Sequence, residues 1–359
     1  MKWIWVSTPK PILLVRQPPG NPVYSQRQCF CPGTGLTTGA RADERSGASR
    51  AHARSLTMDA SVELVRHLLG SVVSIHTEVP AAHPSAVILG IERWGTGTVV
   101  DPSGLILTVN YVVMGGATIQ VSFGGTGRKS RAELVAQDFE VGLAVLRVKR
   151  QGLSAVEPGT SQTMALGQPV FVLASKGPQE RQVSNGLVTY LGEFEAYWEY
   201  LLERGIVSSA PNPGAGGGAL FTAAGRMVGV VFLNLYEIGR SSLAIPLECY
   251  QSNVDEFLRF GRVVSRPKRA WLGVFAHPLD EGVVIAGLVP NGPGAKSGLR
   301  EGDLVVSLNA EEVPTRRDLY LALWRHGPGE SITVEVVRDN ETKRLEVTGG
   351  DRAEFFRQL

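Results

Sequence analysis

A mainly β fold in two domains is what the sequence predicts, on three observations. Short runs of strand character recur through most of the chain, separated by turn residues, as in a barrel or a sandwich. Glycine is abundant, 42 of 359 residues or about 12% against the ~7% of average usage, as many tight turns require. The 359 residues, 43% hydrophobic and 19% charged, suffice for two compact domains with separate cores.

Residues 1–57 read as a disordered basic tail. Trp3 to Val6 and Ile12 to Val15 are split by Ser7-Thr8-Pro9-Lys10-Pro11. They fall short of the ~7–15 continuous apolar residues of a signal peptide and of the ~20 of a membrane span. A Gly/Arg/Ser-rich run to Ser55 follows, a composition that cannot bury a core. Met58 opens a better-organised sequence, so the expectation is that the true start lies there. The tail holds eight Lys/Arg against Asp43 and Glu44, a charge of +6. The whole chain carries +2, which leaves −4 on the body and no case for nucleic-acid binding by it. Cys29 and Cys31 in the tail and Cys249 in the body indicate neither a disulfide framework nor a metal site, and no cofactor is expected.

Between Asp59 and Leu69, apolar Val62, Val65, Leu68 and Leu69 form a helical stripe that Gly70 ends. Strands are expected over Val72–Ile75, Thr98–Val100, Leu105–Thr108, Thr118–Phe123, Leu143–Val148, Val170–Leu173, Gly186–Leu191 and Met227–Leu233. Asp101-Pro102-Ser103-Gly104 carries the residues of a type I turn at its first, second and fourth positions, which makes a hairpin of the strands flanking it. Val254, Phe257 and Leu258 have helical spacing, with Gly261 as the stop. Arg262, Arg266, Lys268 and Arg269, with Pro267, make a short basic linker. The organisation expected is a first domain over 58–261, a linker over 262–269 and a second domain over 270–350.

Four ordered stretches carry a family resemblance. Gly95 to Val113, Asp138 to Leu146, Pro211 to Leu220 and Ser242-Leu243-Ala244-Ile245-Pro246 resemble the successive motifs of HtrA/Deg-type serine proteases. Four matches in order over about 150 residues are far more specific than a lone motif. The resemblance implies a trypsin-like double β-barrel, and Ala270-Trp271-Leu272-Gly273-Val274 with Gly282 to Asn309 implies a following PDZ domain, a small β-sandwich with two helices. The departures matter as much as the matches. The family's histidine position is Tyr111, its aspartate position is Gly142, and its nucleophile position is Gly216.

Each departure removes a physical step. Glycine has no hydroxyl with which to attack a peptide carbonyl. A phenol of pKa ~10 stays protonated at neutral pH and is no substitute for imidazole. Gly142 can neither orient nor stabilise a cationic base. Because triad members act as a unit, what survives is at most the ~10³–10⁴ over water that binding and oxyanion groups supply. In the loop Gly214, Ala215, Gly216 the backbone N–H groups of Gly214 and Gly216 stand where the family makes its oxyanion hole, but so many glycines are expected to leave that loop collapsed or mobile. A displaced catalytic set would draw on Ser208, Ser209, Ser241 or Ser242, yet His52, His67, His76, His83, His277 and His326 all lie outside the catalytic loops by motif placement.

In the second domain, Thr315 is a fitting N-cap for a helix with Leu319, Ala322, Leu323 and His326 on one face. The resemblance implies that this face borders a groove for an extended C-terminal peptide, whose carboxylate meets the N–H groups around Leu272, Gly273 and Val274. Trp271 lies in that loop and Arg269 is expected to add attraction. Leu319 and Leu323 serve equally well as core residues. The reading is a catalytically inactive homologue, a scaffold or regulator in protein quality control that binds unfolded or C-terminal segments. The alternative is a serine-type endopeptidase using displaced residues. An active relative as partner and homo-oligomerisation are implied by resemblance alone. Cytoplasm is expected if Met58 is the start, and the periplasm by family analogy.

Overall fold

The fold is that of a computed structural model, described over residues 61–124, 129–236 and 239–357. The readings of the tail, of Cys29 and Cys31, and of a start at Met58 lie outside those residues. A helix through 61–69 (α1) ends at Gly70, whose N–H bonds the carbonyl of His67. The first closed barrel follows, from β1 (Val72–Glu78), β2 (Glu92–Asp101), β3 (Leu105–Val109), β4 (Thr118–Phe123), β5 (Lys129–Asp138) and β6 (Leu143–Val148), in the order β1-β2-β3-β6-β5-β4. The Asp101–Gly104 turn joins β2 to β3 as expected. Gly104 N–H returns to the Asp101 carbonyl at 3.1 Å, and the Asp101 carboxylate accepts from Ser103 N–H at 2.8 Å. Short helices α2 (Pro84–Leu89) and α3 (Asn110–Val113) lie against this barrel.

The second closed barrel holds β7 (Pro169–Ser175), β8 (Arg181–Ala196), β9 (Tyr200–Ser208), β10 (Ala219–Thr222), β11 (Met227–Leu235) and β12 (Ser241–Pro246), ordered β10-β11-β12-β9-β8-β7. Closure of both sheets leaves no open edges. The anticipated strands are all present, and β5, β9, β10 and β12 are additional. β8 is far longer than the expected Gly186–Leu191. It runs 16 residues and pairs with β9 up to Ala196 opposite Tyr200.

α4 (Glu248–Gln251) and α5 (Val254–Phe260) close the barrels, and Gly261 ends α5 in the left-handed conformation at φ 69°. The third unit is a single sheet, β13 (Val274–Leu279), β14 (Gly282–Leu288), β15 (Leu304–Leu308), β17 (Ser331–Arg338) and β18 (Glu341–Thr348), with β16 (Glu311–Glu312) beside β15. Helices α6 (Pro293–Lys296) and α7 (Arg316–Leu323) complete it, and Thr315 caps α7 by accepting from Asp318 N–H. α6 starts at Pro293, which fits a first helical turn because it has no N–H to satisfy there.

Residues 262–269 are tied down rather than free. Arg266 bridges Asp138 and Glu140 at 3.1 and 3.3 Å, and Lys268 bridges Asp351 and Glu354 at 2.7 and 3.1 Å. α8 (Arg352–Phe355) and Phe356 then wedge between units. Phe356 stacks on Phe139 of the first barrel and packs on Trp271 of the third unit. Its carbonyl meets His83 Nε2 at 3.1 Å, while His83 Nδ1 accepts from Ser85 N–H to cap α2. That pattern fixes a neutral imidazole with the proton on Nε2, and burial holds the pKa of His83 below its ordinary value. The contribution is therefore present above ~6.5 and is lost as pH falls through that value to the lowered folded one. Urea midpoints are expected to fall between pH 8 and pH 5 more in the wild type than in His83→Asn, which keeps a capping side chain without a titration. Equal slopes would refute this.

Candidate functional site

α3 starts where β3 leaves the first barrel, and this places Tyr111 between the two barrels. The Tyr111 hydroxyl donates to the Phe232 carbonyl on β11 at 2.9 Å, and the two rings lie 5.6 Å apart. Burial pushes the phenol pKa up, so it stays protonated. The three positions of interest meet here. A Cβ built on Gly216 would stand inside the Tyr111 hydroxyl, and 2.8 Å from its Cζ. A Cβ on Gly142 would stand 2.8 Å from Cε2 of Phe232, at a residue whose φ is +86°. The volume of a nucleophile is thus filled by the Tyr111 side chain and that of an acid by Phe232. Phe232 in turn stacks on Tyr200 at 5.1 Å, and the Tyr200 hydroxyl donates to the Val141 carbonyl at 2.9 Å beside Gly142.

The loop of Gly214, Ala215 and Gly216 is held closed, not left without a fixed path. Thr96 N–H donates to the Gly216 carbonyl at 2.7 Å, the Thr96 hydroxyl and Asn212 Nδ2 both donate to the Ala215 carbonyl, and Ala215 N–H donates to Ser175 O at 2.9 Å. These bonds fix the carbonyls of Ala215 and Gly216 and the N–H of Ala215. Ser208 and Ser242 are buried 3.4 Å apart, Ser242 donating to Ala210 O, and Ser209 accepts from Leu187 N–H. None of these serines meets a histidine. The serine–histidine contact that the structure does contain is Ser85 Oγ to His83 Nδ1 at 2.7 Å. Both residues are buried, Ser85 Oγ gives its proton to Nδ1 and accepts from Arg93, and Met114 O lies 3.2 Å from it. It is a helix-capping pair. Among the described residues no cluster of three or more His, Cys, Asp or Glu could hold a metal, and Cys249 is a free thiol pushed up to about 11 by burial.

The loop before β13 forms a second site. N–H groups of Leu272, Gly273 and Val274 converge on one carboxylate, at 3.0, 2.7 and 2.9 Å. That carboxylate is Glu199, at the tip of the β8–β9 hairpin. Glu199 is 1% exposed, and burial raises its pKa against the lowering effect of Arg352 and the three N–H groups. Arg269, expected to add attraction, lines the same cavity as Glu199 but is paired elsewhere. It lies 4.7 Å over the ring of Trp324 and pairs with Glu140 at 3.5 Å, since the chain turns through Ala270 before reaching the loop. Arg352 occupies that flank instead, donating to the carbonyls of Glu199 and Trp198. Trp271 is buried against Phe355 and Phe356, and Leu319 and Leu323 lie in the core of the third unit. Glu199, Tyr320 and Arg352 were not found from the sequence.

Residues 95–230 match the family model described as a trypsin-like peptidase domain, and residues 270–348 match that of a PDZ domain. The chain carries the trypsin-like peptidase and PDZ units of HtrA/Deg-type serine proteases. This homologue is 29% identical over 309 residues to a "Probable periplasmic serine endoprotease DegP-like" of Halomonas elongata, covering 80% of this chain and 63% of that one. It is 26% identical over 260 residues to "Serine endoprotease DegS" of Haemophilus influenzae, covering 70% and 75%. The chain spans about three-fifths of the DegP-like relatives it matches. Among solved structures, "HtrA-type protease AlgW with tripeptide" is similar at TM-score 0.51 and 25% identity, covering 81% of this chain and 97% of that one. The HtrA/Deg homologue thus has the family's trypsin-like and PDZ units in the family's order.

Proposed function

We propose that this HtrA/Deg homologue is a non-catalytic polypeptide-binding protein, a scaffold or regulator in protein quality control. The observation that carries the reading is the mutual fit of Tyr111 and Gly216, with the hydroxyl of the one standing where the other's Cβ would be. Loss of a nucleophile alone would leave a gap. Here the gap is packed, and the phenol's proton is committed to the Phe232 carbonyl. Peptide binding is assigned to the PDZ unit, where convergent N–H groups suit a carboxylate and β13 is an edge strand suited to β-augmentation. The periplasmic names among the relatives support an extracytoplasmic place of action, and an active relative or a second copy of the chain is the partner the family suggests. Among the described residues no helix is long and apolar enough to cross a membrane.

The second reading is an endopeptidase, which the names of the relatives favour. Purified chain incubated with unfolded casein separates the two. The expected result is no fragment above the rate in buffer, beside an active family member as control. Time-dependent fragments that scale with chain concentration would overturn the non-catalytic reading.

A further inference from the structure

The carboxylate of Glu199 sits in the PDZ unit as a terminal carboxylate would. The resemblance extends along the backbone. Val274 N–H donates to the Glu199 side-chain carboxylate, and Ala276 N–H, two residues further on β13, donates to the main-chain carbonyl of Tyr197, two residues earlier in the hairpin tip. The main-chain bond and the carboxylate contact run in opposite chain directions, the direction a C-terminal peptide takes when it lies antiparallel along the β13 edge. From the other wall of the groove, the Tyr320 hydroxyl of α7 donates to Ala196 O at 2.7 Å and accepts Glu199 N–H at 3.0 Å. Arg316 and Arg317 hold Glu195 and Glu193 further along β8, at 3.1 and 2.7 Å.

Glu199 has φ 56°, a left-handed conformation that is strained for a residue with a side chain and persists where its surroundings over-determine it. Three N–H donors on its carboxylate are such surroundings. Glycine, the ordinary residue for that backbone, would supply no carboxylate.

We propose that the 196–199 hairpin tip is an intramolecular ligand of the PDZ groove, which an extended segment with a free C-terminal carboxylate must displace in order to bind. This rests on reading the groove as a peptide site. A groove occupied by its own chain shows an affinity reduced by the fraction of molecules in which it stands open.

The test uses the full chain and a fluorescein-labelled decapeptide copying residues 189–198, ending in Trp198 with a free carboxylate, beside its amidated twin. Fluorescence polarisation is expected to show the free-acid peptide binding to Glu199→Ala about tenfold or more tightly than to wild type, with the amide bound by neither. Glu199→Gln, which keeps shape and one acceptor oxygen, is expected to fall between them, and it serves if the alanine variant does not fold. Equal binding of the peptide by wild type and by both variants would overturn the internal-ligand proposal and leave the peptide-site reading standing. No binding by folded Glu199→Ala and Glu199→Gln would overturn both, making the contact a structural joint.

Discussion

Gly216→Ser is expected to lower stability by about 1–3 kcal/mol, the cost of overpacking a filled site, and to restore no proteolysis. A Cβ at residue 216 overlaps the Tyr111 hydroxyl, and the Tyr111 ring is held by its bond to Phe232 O and its packing on the Phe232 ring. Serine therefore enters only if the tyrosine leaves, and it then faces no base. The urea midpoint, read from tryptophan fluorescence, measures the first effect and casein cleavage the second. Gly216→Ser with Tyr111→Gly is expected to lose less stability than the two single variants added together. An unchanged midpoint for Gly216→Ser would show that the two positions do not share one volume. The same logic makes a rebuilt triad the least stable variant, since Asp at 142 must adopt φ +86° with Phe232 Cε2 at 2.8 Å.

Arg352→Met is expected to cost about 3 kcal/mol, the lower end of what an uncompensated buried charge costs. Its guanidinium donates to the carbonyls of Phe139, Trp198 and Glu199, so one side chain ties the first barrel, the hairpin tip and the C-terminal segment together. It is also the charge set against the buried Glu199 carboxylate, which loses that compensation with it. Urea titration of Arg352→Met, alone and with Glu199→Gln, isolates the shared part. The double variant is expected to lose less than the two single variants together. Strict additivity would place Arg352 outside the Glu199 site.

Much of the fold is legible in local pattern. β4 and β6 begin and end where the apolar runs do, the Asp101–Gly104 turn follows from residue chemistry, and Thr315 and Gly261 mark helix ends by their capping preferences. The far part of β8 and β9 is not legible. Glu193, Glu195 and Glu199 with Gly192 and Arg204 read as a solvated loop, because what buries or pairs the acids comes from residues more than 70 positions away. Tyr197-Trp198-Glu199-Tyr200 was the available signal, since three aromatic residues around an acid are unusual for an exposed turn. The empty positions of the triad are visible in the sequence, but not that Tyr111 and Phe232 fill them. Arg269 was assigned by adjacency in sequence to Leu272–Val274, whereas the chain path gives that flank to Arg352, over 80 residues later.

The central claim is that no serine of this chain is an activated nucleophile. The intact mass of the folded protein after incubation with a fluorophosphonate tests it most directly. The expected spectrum is that of the unmodified chain, with an active family member fully labelled under the same conditions. A single stoichiometric adduct on one serine, lost on denaturation before labelling, would contradict it.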